Sequence, residues 1–334
     1  MLVPSASLRR SLPRALGVTE HIGGILDFYS YFNDARRLAD SIGDWEDSRF
    51  SWEKAFVGAA FSAIAYEEIP DFELKNSKRA KIIPCDRFQA HVSRWEAEQR
   101  RASVKQLDTN TEIEVITRSR VIVTISRLPK VIFVSFRGTT FSFADFKADL
   151  DVRKVRYQSG FGESVRLHRG FFDAVLECFD EVVERLRVLN QGPYVPVYVT
   201  GHSLGGAMAA VFHARLDEDD FHSFRHRRRH HIPPSIACYT FGMPRYGDMS
   251  AKSVLPQPYH VFNELDAIPT LPPKLLGFVD SANERCLNAI PDVITVLNKG
   301  DFALRSGKGI ATVLGVSDHR MERYVERTNA MRHK

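Results

Sequence analysis

Apolar positions along the chain switch between two periods. From Trp52 to Tyr66 the residues Trp52, Ala55, Phe56, Ala59, Ala63 and Tyr66 recur at intervals of three and four, which predicts a helix. Beyond residue 112 the period shortens. Glu112 to Thr117 alternates, and Val121 to Ile125 and Val131 to Phe136 are β-branched runs joined through Leu128-Pro129-Lys130, which predicts strands. Helical spacing returns from Gly170 to Asn190, with Phe171, Val175, Phe179, Val182, Leu186 and Leu189 on one face. An apolar strand at Val195–Thr200, a helix at Gly205–Leu216 and strands at Ile236–Phe241 and Tyr259–Phe262 follow. Residues 70–110 are polar around Trp95 and read as an irregular cap with helix near 86–103, and 217–234 reads as a polar basic loop insertion. Strands alternating with helices predict an α/β sheet with helices on both faces. The expected organisation is an N-terminal extension over 1–50, helical or partly ordered, and one domain over 51–334.

Composition narrows the class. The chain has 334 residues, 44% of them hydrophobic and 26% charged, which is ordinary globular usage and excludes a disordered, collagenous or disulfide-scaffold protein. The four cysteines are widely spaced without a Cys-x-x-Cys pair, so a zinc knuckle or redox dithiol has no support. The net charge of +5 is concentrated in two patches, Arg9, Arg10 and Arg14, and the run Arg225 to His231. A charge excess that local argues against nucleic acid as a partner. No apolar run reaches the roughly 18 residues of a membrane span, and no apolar stretch follows the N-terminal arginines as a secretory signal requires. A cytoplasmic or peripheral-membrane location is expected.

The chemistry concentrates in Val197-Tyr198-Val199-Thr200-Gly201-His202-Ser203-Leu204-Gly205-Gly206-Ala207. Gly-x-Ser-x-Gly alone is weak, arising by chance in about one chain in ten of this length. Its context is specific. An apolar strand leads in and a small-residue helix leads out, the strand–turn–helix that a nucleophile elbow requires. Gly201 and Gly205 leave room where strand and helix meet, and Ser203 projects as the nucleophile. Serine needs a base oriented by a carboxylate, in the chain order Ser, Asp, His. Asp266 runs straight off the strand 259–262 and is the favoured acid, with Asp248, Asp280 and Asp292 as competitors in poorer places. The histidines from 213 to 231 precede it, His260 lies within the strand and His333 lies near the chain end, which leaves His319, at the start of a terminal helix, as the base. For the oxyanion, one donor is expected at the Leu204 N–H. The other is expected at Thr139 in Phe136-Arg137-Gly138-Thr139, after the strand 131–136.

With these residues in view, the sequence resembles the class 3 lipases, the family that includes fungal triacylglycerol lipases. The matching pieces run from about residue 52 to 325: Ala63-Ile64-Ala65-Tyr66, Phe136-Arg137-Gly138-Thr139, Asp145 to Leu150, His168-Arg169-Gly170-Phe171, Gly201 to Ala207, Phe241-Gly242-Met243-Pro244-Arg245, Asn263 to Pro269 and Asp318-His319. The resemblance implies an α/β-hydrolase fold with a mostly parallel central sheet. It implies the triad Ser203, Asp266 and His319, with Thr139 and Leu204 forming the oxyanion hole. His168 and His202 belong to family motifs but are not carried over as catalytic. Phe146 stands where many relatives have tryptophan, and the 217–234 segment and residues 1–50 lie outside the pattern.

The expected reaction is hydrolysis of a lipid ester through an acyl-enzyme, which needs no metal or organic cofactor. Phe141, Phe143 and Phe146 read equally as a substrate-binding wall or as core packing. The apolar segment from Leu271 to Phe278 adds to the preference for acyl chains. The basic run is first a solvated loop and second a surface for transient contact with a membrane or lipid droplet. Two alternatives stand beside an acylglycerol lipase: a phospholipase A1, and a lipase-like binding or signalling protein without turnover.

Overall fold

The computed structural model describes residues 31–66, 112–138, 152–159, 162–190, 192–225, 234–287 and 318–334, with 217–225 described by backbone alone. The strands are β1 (Glu112–Thr117), β2 (Ile122–Arg127), β3 (Ile132–Phe136), β4 (Lys154–Gln158), β5 (Ser164–His168), β6 (Val197–His202), β7 (Ser235–Phe241), β8 (Tyr259–Phe262) and β9 (Asn283–Cys286). The helices are α1 (residues 31–41), α2 (Trp52–Ile64), α3 (Arg169–Leu189), α4 (Leu204–Arg225), α5 (Met249–Val254) and α6 (Met321–Met331). Seven strands form one sheet in the order β1-β2-β3-β6-β7-β8-β9. The pairs β1/β2 and β2/β3 are antiparallel, and every pair from β3 to β9 is parallel. β4 and β5 make a separate antiparallel pair. This is the α/β-hydrolase arrangement, a mostly parallel sheet between two helical layers.

A sheet covered on both faces needs strands that are apolar on both sides, which is why its strands read as continuous β-branched runs. Ile132, Val134 and Phe136 of β3 and Val197 and Val199 of β6 join one core cluster with α3 and α4. Phe133 and Tyr198, between them in sequence, point the other way into a second cluster with α1, α2 and α6. α2 starts where Ser51 accepts the Lys54 N–H at 3.2 Å, an N-cap that satisfies an otherwise unpaired donor. Among the described residues, no helix is long and apolar enough to cross a membrane.

The structure departs from the sequence reading in four places. β6 runs through Gly201 and His202, because parallel pairing to β7 continues to the register His202 with Phe241. α4 continues to Arg225 where a basic loop was expected, since neither glycine nor proline occurs between Gly206 and Pro233 to stop it. The rest of that run, 226–233, lies outside the described residues, as do the segment around Trp95 and residues 1–30. The β4/β5 hairpin, β9 and α5 carry no clear apolar period and were not expected. Finally, residue 50 is not a packing boundary. Phe32, Ala35, Ala39 and Trp45 are buried in the second cluster. The Trp45 ring lies edge-on to Tyr198 at 4.9 Å and to Phe133 at 5.6 Å, and its indole N–H donates to the Ala39 carbonyl at 3.0 Å.

Trp45→Ala is therefore expected to lower unfolding stability by about 3–5 kcal/mol in a urea titration. An unchanged midpoint would mean that 31–50 is a detachable extension after all.

Candidate active site

β6 ends at His202 and α4 begins at Leu204, so Ser203 alone makes the turn. Its φ is 58°, in the left-handed region, which costs an L-residue about 1–2 kcal/mol. The flanking glycines are required by contact. A Cβ on Gly201 would sit 2.4 Å from the Gly205 carbonyl oxygen. A Cβ on Gly205 would sit 2.1 Å from the Phe136 carbonyl oxygen and 2.7 Å from the Gly138 nitrogen. The strained serine is held from both sides: its N–H donates to the Phe241 carbonyl at 2.9 Å, and its own carbonyl accepts the Gly206 N–H at 3.0 Å. Leu204 opens α4, so its N–H has no carbonyl four residues back within the helix.

β8 ends at Phe262 and feeds a turn closed by the Asp266 N–H on the Asn263 carbonyl at 3.1 Å. The Asp266 side chain is fully buried. A carboxylate removed from water needs donors around it, and Asp266 has three. Its Oδ1 accepts the Ile268 N–H at 2.9 Å, and its Oδ2 accepts the Tyr324 hydroxyl at 2.5 Å and His319 Nδ1 at 2.7 Å. With Nδ1–H donating to the carboxylate, His319 Nε2 presents a lone pair to Ser203 Oγ at 2.8 Å. Ser203, His319 and Asp266 thus form one hydrogen-bonded relay at the carboxyl end of the sheet, where ligands bind in open α/β folds. The segment bearing His319 is fixed in turn: the Asn263 amide donates to the Asp318 carbonyl at 2.7 Å, and Arg327 pairs with Asp318 at 3.0 Å.

The other candidates have structural duties. Asp248 caps α5, accepting the Ser250 and Ala251 N–H groups. Asp280 pairs with Arg245 at 2.7 Å and Lys274 at 2.8 Å. His260 accepts the Met243 N–H at Nε2 and faces Glu284 at Nδ1. Thr139, Phe141, Phe143, Phe146 and Asp292 lie outside the described residues.

Two residues of the relay escaped the sequence reading. Tyr324 donates to Asp266 from α6, and burial with the adjacent carboxylate drives its pKa far above the ordinary tyrosine value, so it remains a donor. Gly242 has φ 55°, and a Cβ there would lie 2.6 Å from Asp266 Oδ2, 2.8 Å from Tyr324 Oη and 3.1 Å from His319 Nδ1. For Gly242 the sequence signals were a glycine directly after the apolar run of β7 and its place in the segment Phe241 to Arg245, neither of which shows what it must lie against.

Comparison with known proteins gives concordant results. Residues 133–276 match the class 3 lipase family. A lipase of Rhizomucor miehei is 32% identical over 197 residues, covering 57% of this chain and 51% of that protein. A secreted mono- and diacylglycerol lipase of Malassezia restricta is 30% identical over 169 residues, covering 46% of this chain and 51% of that protein. The chain thus spans about half the length of the curated relatives it matches. Among solved structures, the native propeptide complex of the Rhizomucor miehei lipase superposes with a TM-score of 0.53 at 25% identity, covering 81% of this chain and 80% of the other.

Gly242→Ala should lower turnover of a soluble ester by about 10²-fold or more, because the added methyl displaces the acid from the imidazole; activity within twofold would show that the relay tolerates the methyl. Acid should also unfold the protein through its buried imidazoles. Burial, with His319 nearby, holds His202 well below the usual histidine pKa, and burial lowers His213 to about 4. Below about pH 6.5 the unfolded chain takes up protons that the folded chain refuses, so stability is full above that pH and falls with acid. For His213 the loss is complete near pH 4 and amounts to about 3 kcal/mol. Urea midpoints should decline from about pH 7 to 5, and less steeply in His213→Phe; a flat profile would show that neither imidazole is held neutral by the fold.

Proposed function

Residues 133–276 match the class 3 lipase family, and from that match we propose that the chain is a class 3 lipase, a serine hydrolase that cleaves acylglycerol esters with Ser203, His319 and Asp266. The observation that carries this reading is the unbroken contact from Ser203 Oγ through His319 to a buried Asp266. His319 Nε2 takes the hydroxyl proton as Ser203 Oγ bonds to the ester carbonyl carbon. The carbonyl oxygen becomes an oxyanion held by the Leu204 N–H and by Thr139. When the tetrahedral centre collapses, the ester C–O bond breaks and the imidazolium delivers its proton to the departing alcohol. Water then attacks the acyl-enzyme by the same steps and releases the fatty acid. Asp266 stays ionised and keeps the Nδ1 proton in place. Removing one oxyanion donor of this kind typically costs 10²–10³ in turnover.

A lipid substrate has two supports. The relatives are lipases, one of them of mono- and diacylglycerols. The segment that follows Asp266 also carries exposed apolar side chains, Leu275 almost fully and Leu276 partly. With Phe141, Phe143 and Phe146 as the acyl-chain wall, this rim would meet a lipid surface transiently.

A fluorophosphonate probe should label wild-type protein and leave Ser203→Ala unlabelled. Turnover should fall by about 10⁴ in Asp266→Asn and by about 10⁶ in Ser203→Ala. Along a p-nitrophenyl ester series from acetate to palmitate, activity should persist well past butyrate. Activity confined to acetate and butyrate would make the protein a small-ester esterase. Fatty acid release from phosphatidylcholine but not from tributyrin would make it a phospholipase.

A further inference from the structure

The proposed reaction leaves one buried imidazole at the site without a task. His202 immediately precedes the nucleophile, and its ring lies 4.6 Å from that of His319 and 5.5 Å from that of Tyr324. Its two nitrogens face different elements. Nε2 is 2.7 Å from the carbonyl oxygen of His319, and Nδ1 is 2.9 Å from the hydroxyl of Tyr66, just beyond α2. That hydroxyl is in turn 3.1 Å from the N–H of Gly138, at the end of β3.

The Tyr66 hydroxyl also lies 3.5 Å from the His202 carbonyl oxygen, and for a neutral His202 hydrogen-bond chemistry allows one assignment along this chain. A carbonyl only accepts, so Nε2 carries the proton. A neutral ring then has a lone pair at Nδ1, which takes the Tyr66 proton. The Gly138 N–H only donates, so it gives to the Tyr66 oxygen. Every group is satisfied in one direction and with His202 neutral. The approach is as tight as at the elbow: a Cβ on Gly138 would lie 2.4 Å from the Tyr66 hydroxyl and 2.7 Å from the His202 carbonyl. The other charged or titratable neighbours among the described residues are Arg137, whose guanidinium lies 5.7 Å over the Tyr66 ring, Glu322, whose charge acts on the Tyr66 hydroxyl, and Tyr324 with Asp266 behind it. A protonated His202 would face the His319 imidazolium during acylation, and burial disfavours that charge.

We propose that Tyr66 and His202 are positioning residues that tie the end of β3 at Gly138 to the backbone of the base His319, through the residue next to the nucleophile. The end of β3, the nucleophile and the base arise from three distant parts of the chain, their relative placement must hold to a fraction of an ångström, and this chain of hydrogen bonds spans them. The proposal rests on the hydrolase reading.

The test uses the full chain, a soluble p-nitrophenyl butyrate assay and histidine-selective ¹⁵N spectra. Tyr66→Phe removes only the hydroxyl; His202→Phe removes both ring hydrogen bonds; His202→Gln keeps a donor for the His319 carbonyl. Tyr66→Phe and His202→Phe should each lower kcat about 10- to 100-fold with KM changed less than about threefold. The double variant should be no slower than the slower single, because both break one chain. His202→Gln should recover part of the loss. In wild-type spectra His202 should remain a neutral Nε2–H tautomer from about pH 8 to 5. Single variants within twofold of wild type, multiplicative losses in the double, or a His202 that is protonated or carries its proton on Nδ1 would overturn the proposal. The spectra decide this even if a variant fails to fold. A wild-type protein that neither hydrolyses ester nor takes up fluorophosphonate would instead defeat the hydrolase reading, while the tautomer still reports whether the hydrogen-bond chain exists.

Discussion

At the carboxyl end of the central sheet, the backbones of β3, β6 and α4 come too close for Gly201 or Gly205 to carry a side chain. The register of β3 against β6 places Phe136 opposite Gly201, and the first turn of α4 then runs directly beneath the Phe136 carbonyl, with Gly205 against it. This contact sets how far the helix can rise from the sheet, and so where the residue between strand and helix must project. Ser203 adopts an unfavourable φ because β6, β7 and α4 all restrain it; the pairing to Phe241 and the Gly206 N–H offset the local cost.

The second constraint is a buried carboxylate. Asp266 has no water to solvate it, so its surroundings must supply donors in fixed places, and each comes from a different part of the fold: the Ile268 backbone, Tyr324 on α6 and His319 ahead of it. Those demands shape the neighbourhood. Gly242 has to be bare, and the turn after β8 has to close. The segment beyond Asp266 is held by Arg245, which donates to the Thr270 and Pro272 carbonyls while paired with Asp280. The cost of desolvating the acid is repaid in orientation, since every partner has one geometry in which it can bond.

Residues whose role depends on neighbours in the chain were readable in advance. The strands at 131–136 and 236–241 and the helices at 52–64 and 170–190 follow from apolar period, because a sheet covered on both faces leaves that imprint on its strands. The elbow follows from glycine spacing between a strand and a helix. Asp266 emerged because it runs straight off a strand, and His319 because few histidines follow Asp266, arguments from placement and elimination that proximity in space then met. Tyr66, His202, Gly242 and Tyr324 were not assigned roles, although each lies within a segment that drew attention. Their partners are tens to more than a hundred residues away, and no local pattern encodes such pairings. Residues 31–50 read as peripheral for a related reason: Trp45 is buried by Phe133 and Tyr198, not by anything near it in sequence.

Read by itself, the amino-acid order determined the strands β1–β3 and β6–β8 and the helices α2 and α3, that the sheet is covered on both faces, and that a serine sits at a sharp strand-to-helix turn. These properties depend on side-chain period and on steric freedom within a few residues. The tertiary structure alone decided that the lead-in helix belongs to the core and that Asp266, His319, Tyr324 and Gly242 meet at one point. Hydrogen bonds act over about 3 Å, so distances of that order between remote residues exist only once the strands have paired and the helices have packed.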